Sequence, residues 1–204
     1  RRPRMFYRPE AGHGLPHNPF NAIVAPRPIG WISTRGRMGD NLAPYSFFNA
    51  VAYVPPQVMF ASTSAKPDRN GTKDSVAQIT ESGSFCVNIA TGDLRDQVNA
   101  SSAGLPAGDS EFRSAGIEAA ECDTIDCPRV AHAAAALECR MTRILPLAGK
   151  ANFAVLGVVT GIHIRDDCLL DGRFDPRRAG GWIARLGYMD YAAVHELFEM
   201  ERPK

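Results

Sequence analysis

The chain has 204 residues, of which 45% are hydrophobic and 22% are charged, the ordinary composition of a folded globular protein with one sizeable core. Its 23 lysines and arginines are almost balanced by 22 aspartates and glutamates, so the formal net charge is +1. A balance this close to zero argues against a general nucleic-acid binder or a binder of acidic membranes, because both need a concentrated positive field.

The chain begins with an arm, residues 1–20, that is rich in arginine, proline, glycine and histidine and has no hydrophobic periodicity. The remainder, residues 21–204, contains no repeat and no linker, so we expect it to form one domain. The first five residues carry charge, but no apolar stretch follows them, which argues against a signal peptide. The apolar stretch 153–164 is too short to cross a bilayer. These features predict a cytoplasmic protein.

Short apolar runs bounded by glycine and proline predict strands in the first half of the chain. The strands are expected at 23–25, 29–34, 41–52 and 57–62, with a hairpin turn at 35–40. Pro44 has no N–H to donate, so its position in the third run predicts an edge strand or a bulge there. A helix is predicted at 72–82, where Thr72 acts as the cap and Gly83 ends the helix.

The second half of the chain continues this pattern of short strands. We expect strands at 85–89, 135–144, 154–164 and 168–170, helices at 93–101 and 191–200, and irregular chain at 104–120 and 171–181, with one helical turn at 111–112. The run 155–159 is continuously apolar and rich in valine, as in a strand buried on both faces. Many short strands with few helices indicate a barrel or a sandwich rather than an α/β sheet.

Several familiar catalytic and cofactor motifs are absent from the sequence. No G-x-G-x-x-G follows a strand and no G-x-x-x-x-G-K-[ST] occurs, so Rossmann and P-loop sites are unsupported. No G-x-S-x-G elbow points to a serine hydrolase. The five histidines are scattered and the five cysteines include no C-x-x-C pair, so no metal site is expected. Cys122 and Cys127 form the one close pair, for which free thiols are favoured over a disulfide.

Polar side chains gather in an otherwise apolar part of the first half. They are Asn41, Ser46 and Asn49 in one run, Ser62, Thr63 and Ser64 after a strand, and Thr72, Lys73, Asp74 and Ser75 at the start of the helix. A helix N-terminus offers N–H groups and a partial positive charge, which hydroxyls and a lysine would complete as a phosphate site. Alternatively, Thr72 and Ser75 only cap the helix and Lys73 is solvated, an interpretation that composition alone favours.

Two further segments combine an arginine with glycine and aromatic residues. Segment 26–31 reads PRPIGW, in which the prolines fix the backbone and the glycine permits close approach of another group. Arg27 there contacts a ligand or is a solvated charge, and Trp31 is a site residue or part of the core. Arg185, followed by Gly187 and aromatic residues, meets a ligand or a partner subunit, or belongs to a turn before the terminal helix.

Taken together, these segments resemble the flavin reductase-like family, whose fold is the FMN-binding split barrel, and the resemblance covers nearly the whole chain. The landmarks are NPF at 18–20, VAPRPIGWIST at 24–34, NLAPYSFFN at 41–49, PP at 55–56, KDS at 73–75, FCVN at 85–88, EF at 111–112, AG at 115–116 and RLG at 185–187. The first two, at this spacing, are the specific ones.

The resemblance implies a mostly β fold with a few helices, an antiparallel, Greek-key-like split β-barrel. It also implies a homodimer with FMN near the subunit interface, a flavin ring against the backbone of Ser33 and 41–46, and phosphate contacts from 62–64 and 73–75. The residues implied in cofactor binding are Arg27, Trp31, Ser33, Asn41, Leu42, Ala43, Pro44, Ser46, Ser62, Ser64, Lys73, Asp74, Ser75 and Arg185.

The sequence departs from the family pattern at two positions. The family helix usually reads K-D-T-x-x-N, whereas this chain has Ser75, which keeps the hydroxyl, and Gln78 in place of the asparagine. The family often has a second glycine after R-L-G, where this chain has Tyr188. The tyrosine ring is expected to narrow or cover the site.

The resemblance implies an FMN-dependent oxidoreductase that takes a hydride from NAD(P)H and passes electrons to a small-molecule acceptor. The protein would supply binding and electrostatics, with Lys73 or Arg27 near the anionic reduced flavin, and no obligate acid or base is needed. One alternative is an FMN-binding electron carrier without NAD(P)H activity. Another is the same barrel with a different ligand, such as pyridoxal phosphate, haem or a deazaflavin.

Overall fold

The computed structural model describes residues 4–65, 71–106 and 108–203. Residues 1–3 of the predicted arm and the last residue of the predicted domain therefore lie outside the described residues. Among the helices that are described, none has the length and apolarity to cross a membrane.

Most of the regular structure is β. The strands, in chain order, are β1 (Arg27–Pro28), β2 (Gly30–Gly36), β3 (Gly39–Tyr45), β4 (Phe48–Tyr53), β5 (Pro56–Ser62), β6 (Ser84–Ile89), β7 (Ala119–Glu121), β8 (Pro128–Val130), β9 (Ala135–Pro146), β10 (Phe153–Ile164), β11 (Leu169–Leu170), β12 (Arg173–Phe174), β13 (Trp182–Arg185) and β14 (Tyr191–Val194). The α-helices are α1 (Phe20–Ile23), α2 (Asp74–Ser82), α3 (Arg95–Ala100) and α4 (Glu111–Ser114). Short 3-10 turns occupy Pro9–Ala11, Gly92–Leu94, Asp166–Cys168 and Pro176–Ala179.

The main sheet has seven antiparallel strands in the order β3-β2-β6-β9-β10-β5-β4. Its two outer strands, β3 and β4, are consecutive in the chain and only residues 46–47 separate them. The sheet must therefore curl until its edges almost meet. The Ala61 amide donates to the Phe47 carbonyl at 2.7 Å, which extends the β4–β5 pairing into the short connection between the two edges. Such curling, with neighbours that are not consecutive in sequence, gives the expected mostly β, Greek-key-like split barrel.

Strand β2 is buried along its length and separates two hydrophobic clusters. Because side chains alternate across a strand, Trp31 points into one cluster with Leu42 and Phe112, and Ile32 points into the other with Phe60. Each of these five side chains is at most 6% exposed. Full burial of apolar side chains of this size stabilises the fold by roughly 1.5–3 kcal/mol each.

Helix α2 packs against β2 and β3. Its apolar residues Val76 and Ile79 enter the barrel cluster, and Gly83 ends it in the left-handed conformation at φ 73°. The Gln78 amide donates to the Gly39 carbonyl at 2.8 Å, and the Thr34 hydroxyl donates to the Gln78 side-chain oxygen. Gln78, one of the two departures from the family pattern, thus ties the helix to the β2–β3 hairpin.

A smaller antiparallel sheet, β1-β13-β14, lies beside the barrel. In it Arg27 stands directly opposite Arg185. A separate hairpin pairs β7 with β8, in which Glu121 stands opposite Pro128. Arg35 on β2 anchors this hairpin through ion pairs to Glu121 and Asp126, each at 2.8 Å.

The other barrel strands, the hairpin turn and the edge position of Pro44 agree with the sequence-based expectations. The single strand expected at 41–52 is wrong, because the chain turns at residues 46–47 and divides it into β3 and β4. The strand expected at 23–25 is wrong: α1 ends at Ile23, because the Asn18 side chain accepts the Phe20 N–H and Arg27 binds the Asn21 and Val24 carbonyls. The helix expected at 191–200 is also wrong, because β14 finds a partner edge in β13 and the apolar residues after it pack against nothing in the described chain.

Thr72 does not cap α2. The cap position is Lys73, and no side chain accepts a hydrogen bond there. The expected strand at 168–170 shortens to β11, which pairs with β12 inside the predicted loop. Strands β8 and β13 had no sequence signal, because each is three or four residues long and needs a partner strand to form.

Candidate functional site

Edge strand β3 borders a polar cleft made of two adjoining cavities, of about 370 and 260 Å³. We call this the β3 cleft. The cavities share Pro44 and Ser102 and have volumes suited to parts of one small molecule. Nine of the residues expected to bind a cofactor line it, namely Arg27, Asn41, Ala43, Pro44, Ser46, Lys73, Asp74, Ser75 and Arg185.

The larger cavity lies at the N-terminus of α2. The Asn41 amide donates to the Ser75 hydroxyl at 3.0 Å and so joins strand and helix. The Lys73 ammonium lies 5.7 Å from the centre of the Tyr45 ring. Asp74 in the first turn favours the helix through its dipole, and no side chain caps the end. The end of the helix therefore presents N–H groups, a hydroxyl and a cation to the cavity.

Tyr45 lines the larger cavity at this end, and Ser62 lies behind it. Burial raises the pKa of Tyr45, and the nearby Ser75 and Ser62 hydroxyls lower it only in part, so the phenol stays protonated and able to donate. Ser62 is 1% exposed, and apart from the nearby Tyr45 phenol its hydroxyl has no hydrogen-bond partner. A buried hydroxyl without a partner costs roughly 1–3 kcal/mol, which a ligand that accepts its proton would recover.

The smaller cavity lies between β3 and the β1–β13 pair and holds two arginines. Arg27 is 8% exposed, and its guanidinium donates to the carbonyls of Asn21, Val24 and Leu186. Burial, and after it the charge of Arg185, lower the pKa of Arg27. Within the described part of the chain neither arginine is paired with a carboxylate, and the Nε atom of Arg27 has no partner. Two like charges opposite each other with no counter-ion favour an anionic ligand.

Five of the expected residues do not line the cleft. Trp31 and Leu42 are fully buried in the core, and the Trp31 indole donates to Ser101 at 2.8 Å. Ser33 is also fully buried. Its hydroxyl donates to the Pro128 carbonyl at 2.6 Å and accepts from the Asn88 amide at 3.0 Å. Ser62 stands behind the cavity wall beside Tyr45, and the exposed Ser64 lies beyond the end of β5.

The cleft also contains residues that were not among those expected to bind a cofactor. Glu111, at the start of α4, is 4% exposed and accepts the Leu42 backbone N–H at 3.0 Å, so that amide is occupied. Ser101 and Ser102, at the end of α3, line the larger cavity. The E-F landmark at 111–112 pointed to this place. Nothing in the local sequence around Ser101 and Ser102 predicts that they line the cavity, because they reach β3 only through the tertiary fold.

Tyr188, the second departure from the family pattern, lines the smaller cavity with Tyr191. Its φ of 57° is a left-handed conformation that glycine adopts freely and tyrosine rarely does. A glycine at this position would adopt the conformation without strain. The Arg185 guanidinium donates a hydrogen bond to the Tyr188 carbonyl. The half-exposed ring is part of the cavity lining, and that it narrows or covers a ligand site stays a prediction.

Three side chains of metal-ligand type, Asp123, Glu138 and His163, come within 4.8 Å of one another at a distance from the cleft. Glu138 is fully buried and already accepts from the Asp123 and Thr124 amides at 2.7 and 2.6 Å, and from the Thr124 hydroxyl. The His163 ring also contacts it, at 2.5 Å. The group is an internal hydrogen-bond network. His132 is exposed and pairs with Glu118 at the surface.

Comparison with known proteins identifies the family of the chain. The model of the flavin reductase like domain matches residues 24–178. An uncharacterised protein of Deinococcus radiodurans is 39% identical over 90% of this chain and 82% of its own length. Nitrilotriacetate monooxygenase component B from Bacillus cereus superposes with a TM-score of 0.82 at 30% identity, covering 89% of this chain and 90% of that one.

An FMN-binding protein from Thermus thermophilus has the same fold, with a TM-score of 0.72 at 19% identity over 97% of this chain and the whole of that chain. The family model spans most of the chain, including β3, α2 and every residue that lines the cleft except Asn21 and those in segment 185–191. This family is one of flavin-linked oxidoreductases. The chain belongs to the flavin reductase-like family.

Proposed function

We propose that this protein binds FMN in the β3 cleft and acts as an NAD(P)H-dependent oxidoreductase that passes electrons to a small-molecule acceptor. The observation that carries the proposal is the junction of β3 with the N-terminus of α2, where hydroxyls, a lysine and helix N–H groups face one cavity. The family of the chain and the polar atoms without partners around this cavity support it.

The residues around the cleft fit the two parts of FMN that carry negative charge, namely the phosphate and the flavin ring in its reduced form. Lys73, Ser75 and the α2 N-terminus would hold the phosphate, because a helix N-terminus and an ammonium both attract a dianion. Ser62 has a buried hydroxyl in need of an acceptor, and Tyr45 beside it has a protonated phenol. These donors would complete the phosphate site together with Ser64, which follows on the same strand end.

At the other end, Ala43, Pro44 and Ser46 would lie along the flavin ring, with Arg27 and Arg185 nearest to it. Bound FMN would supply the redox chemistry by accepting a hydride from NAD(P)H. The two arginines would hold negative charge at the ring without a carboxylate competing for them. No side chain has to move a proton in this scheme, so no acid or base is assigned.

The first experiment is a visible spectrum of the purified protein, followed by titration with FMN and anaerobic addition of NADH or NADPH. Flavin absorption that bleaches on addition of either nucleotide is the expected result. Flavin bands that persist would replace the reductase with the alternative, an FMN-binding electron carrier or an oxidoreductase with another donor. A protein that neither contains nor takes up FMN would refute the proposal and leave the cleft to another phosphate-bearing ligand.

We also propose that the protein is a homodimer in the cytoplasm. Tyr53 and Val54, at the tip of the β4–β5 hairpin, are 89% and 84% exposed, and Phe198 near the C-terminus is 84% exposed. Large exposed apolar side chains are typical of surfaces that pack against another subunit. Sedimentation velocity tests the assembly: a monomer at micromolar concentration, with or without FMN, would contradict it.

A further inference from the structure

Three of the five cysteines meet beneath the β7–β8 hairpin, well away from the residues of the β3 cleft. Cys122 and Cys127 lie on the two arms of the hairpin, and Cys86 lies on the neighbouring strand β6. Both the Cys127 and the Cys86 thiols are within hydrogen-bonding reach of the Cys122 sulfur. All five cysteines are free thiols in this structure.

Cys122 and Cys127 face each other directly. They extend the ladder beyond the Glu121–Pro128 pair, and the Cys122 N–H donates to the Cys127 carbonyl at 3.1 Å. Residues paired in this way have Cα atoms about 5.5 Å apart and side chains on the same face. This separation lies within the range for disulfides, so the hairpin brings the two sulfurs within reach of each other.

The two thiols differ in access and in chemical state. Cys127 is fully buried, and its sulfur donates to the Ser33 carbonyl at 3.3 Å, so it is held as the thiol. Cys122 is partly exposed and lines an open cavity of about 880 Å³. Hydrogen bonds from Cys127 and Cys86 lower the pKa of Cys122, burial and Glu138 oppose this, and His163 favours it.

Charged groups of both signs surround the cavity mouth. Arg35 and Arg140 bring positive charge to it, and Glu81, Glu121, Asp123 and Asp126 bring negative charge. Arg35 is engaged with three carboxylates, and Arg140 donates to the Thr124 carbonyl at 3.0 Å. The mouth thus suits a small uncharged oxidant better than a large anion.

We propose that Cys122 and Cys127 form a peroxide-sensitive dithiol, with Cys122 as the attacking sulfur and Cys127 as the resolving one. The Cys122 thiolate attacks one oxygen of a hydroperoxide, the O–O bond breaks, and the leaving oxygen departs as water or an alcohol. The Cys127 thiol then displaces hydroxide from the Cys122 sulfenic acid, which gives a disulfide and a second water. Two thiols are oxidised and one peroxide is reduced.

Cys127 is the resolving sulfur, and Cys86 is not, because of where the two strands lie. Cys86 stands between Ser33 and Glu138 in the interior of the main sheet, where its strand is fixed on both sides. Cys127 belongs to a two-stranded hairpin at the surface and faces Cys122 across it. Disulfide formation would withdraw the Cys127 thiol from the Ser33 carbonyl of β2.

The test uses the purified full-length protein, reduced and freed of reductant, with no NAD(P)H added, so that the outcome is independent of the proposed flavin chemistry. Hydrogen peroxide is added, remaining thiols are blocked with N-ethylmaleimide, and peptides are mapped by mass spectrometry. We expect a Cys122–Cys127 disulfide, and alkylation of Cys122 in the reduced protein roughly tenfold or more faster than that of buried Cys168.

Variants separate the roles of the two sulfurs. Cys127→Ser should leave a Cys122 sulfenic acid that dimedone traps, whereas Cys122→Ser should abolish both the disulfide and the adduct. Cys168→Ser, which removes a buried thiol elsewhere, should change neither. Circular dichroism checks that each variant is folded. A Cys122–Cys86 link in the unmodified chain, or a Cys122 that peroxide oxidises no faster than Cys168, would overturn the proposal.

Discussion

Two polar regions of this molecule differ in whether their buried oxygen and nitrogen atoms have hydrogen-bond partners. Around Glu138, each carboxylate oxygen accepts two contacts from the protein itself. In the β3 cleft the Arg27 Nε atom is buried without a partner, and so is the Ser62 hydroxyl behind the cleft wall. Because native proteins satisfy nearly all buried polar groups, the first arrangement indicates a structural role and the second indicates a place for a ligand.

The two regions also differ in the sign of the charge that their side chains carry. The Glu138 network places one buried anion among donors and beside His163. The cleft places Arg27, Arg185 and Lys73 around cavities, and its arginines have no carboxylate among the described residues. A substitution in the first region should therefore change folding stability, and one in the second should change the affinity for an anionic ligand.

The largest effect is expected from Glu138→Leu. It removes the buried acceptor of the Asp123 and Thr124 amides and of His163, so we expect a loss of about 3–5 kcal/mol in the free energy of unfolding, measured by urea denaturation. Glu118→Leu is the matched control, because it breaks an exposed pair with His132 and should cost less than about 1 kcal/mol. Equal losses in the two variants would show that the network contributes no more than a surface pair.

Acid should weaken the same network. Burial raises the pKa of Glu138, but the Thr124 hydroxyl, the Asp123 amide and His163 outweigh it and lower the pKa from 4.5 to about 2. A lowered folded-state pKa means that ionised Glu138 stabilises the fold fully above pH 4.5. That stability is lost as the pH falls from there towards 2. Thermal unfolding between pH 6 and pH 3 should therefore depend less on pH in a Glu138→Gln variant.

The structure also shows which elements could be predicted from the sequence and which could not. Strand β2 and helix α2 were found because their apolar periodicity and the stop at Gly83 are local signals. The prediction of a helix at 191–200 was wrong because the choice between helix and strand there depends on a free edge of β13. No local sequence pattern indicates that edge. The Glu138 network was missed for the same reason, since its members are 14 to 25 residues apart in sequence.

For the candidate site, the residues on β3 and at the start of α2 were predictable from sequence landmarks. The orientation of each side chain was not. Trp31, Ser33 and Leu42 belong to the same landmarks as residues that line the cleft, yet strand alternation and the fold on top of β2 direct them inward. A motif thus identifies a segment, and only the packing around it decides which of its side chains meet the ligand.

In the cleft, Lys73→Met should cause the largest loss of FMN affinity. The ammonium is the principal side-chain cation at the α2 end, and a hydrogen bond to a charged group contributes about 1.5–3 kcal/mol, or roughly tenfold to a hundredfold in Kd. Quenching of flavin fluorescence during titration measures it. Lys150→Met, on an exposed loop, is the control and should bind FMN like the unmodified protein. A loss in Lys150→Met of the same size would point to net charge instead of the site.

The smallest and most discriminating effect is expected from a pair of serine substitutions. Ser62→Ala removes a hydroxyl that has no partner, so the free protein should keep its stability or gain a few tenths of a kcal/mol, while FMN affinity falls about fivefold. Ser33→Ala removes a hydroxyl bonded to Pro128 and Asn88, so stability should fall by about 1 kcal/mol with FMN affinity unchanged. Urea denaturation without flavin and fluorescence titration with it give the two quantities for each variant. If Ser33→Ala weakened FMN binding and Ser62→Ala did not, the ring would lie against β2 as the family resemblance implies, and an unsatisfied hydroxyl would be no guide to the ligand.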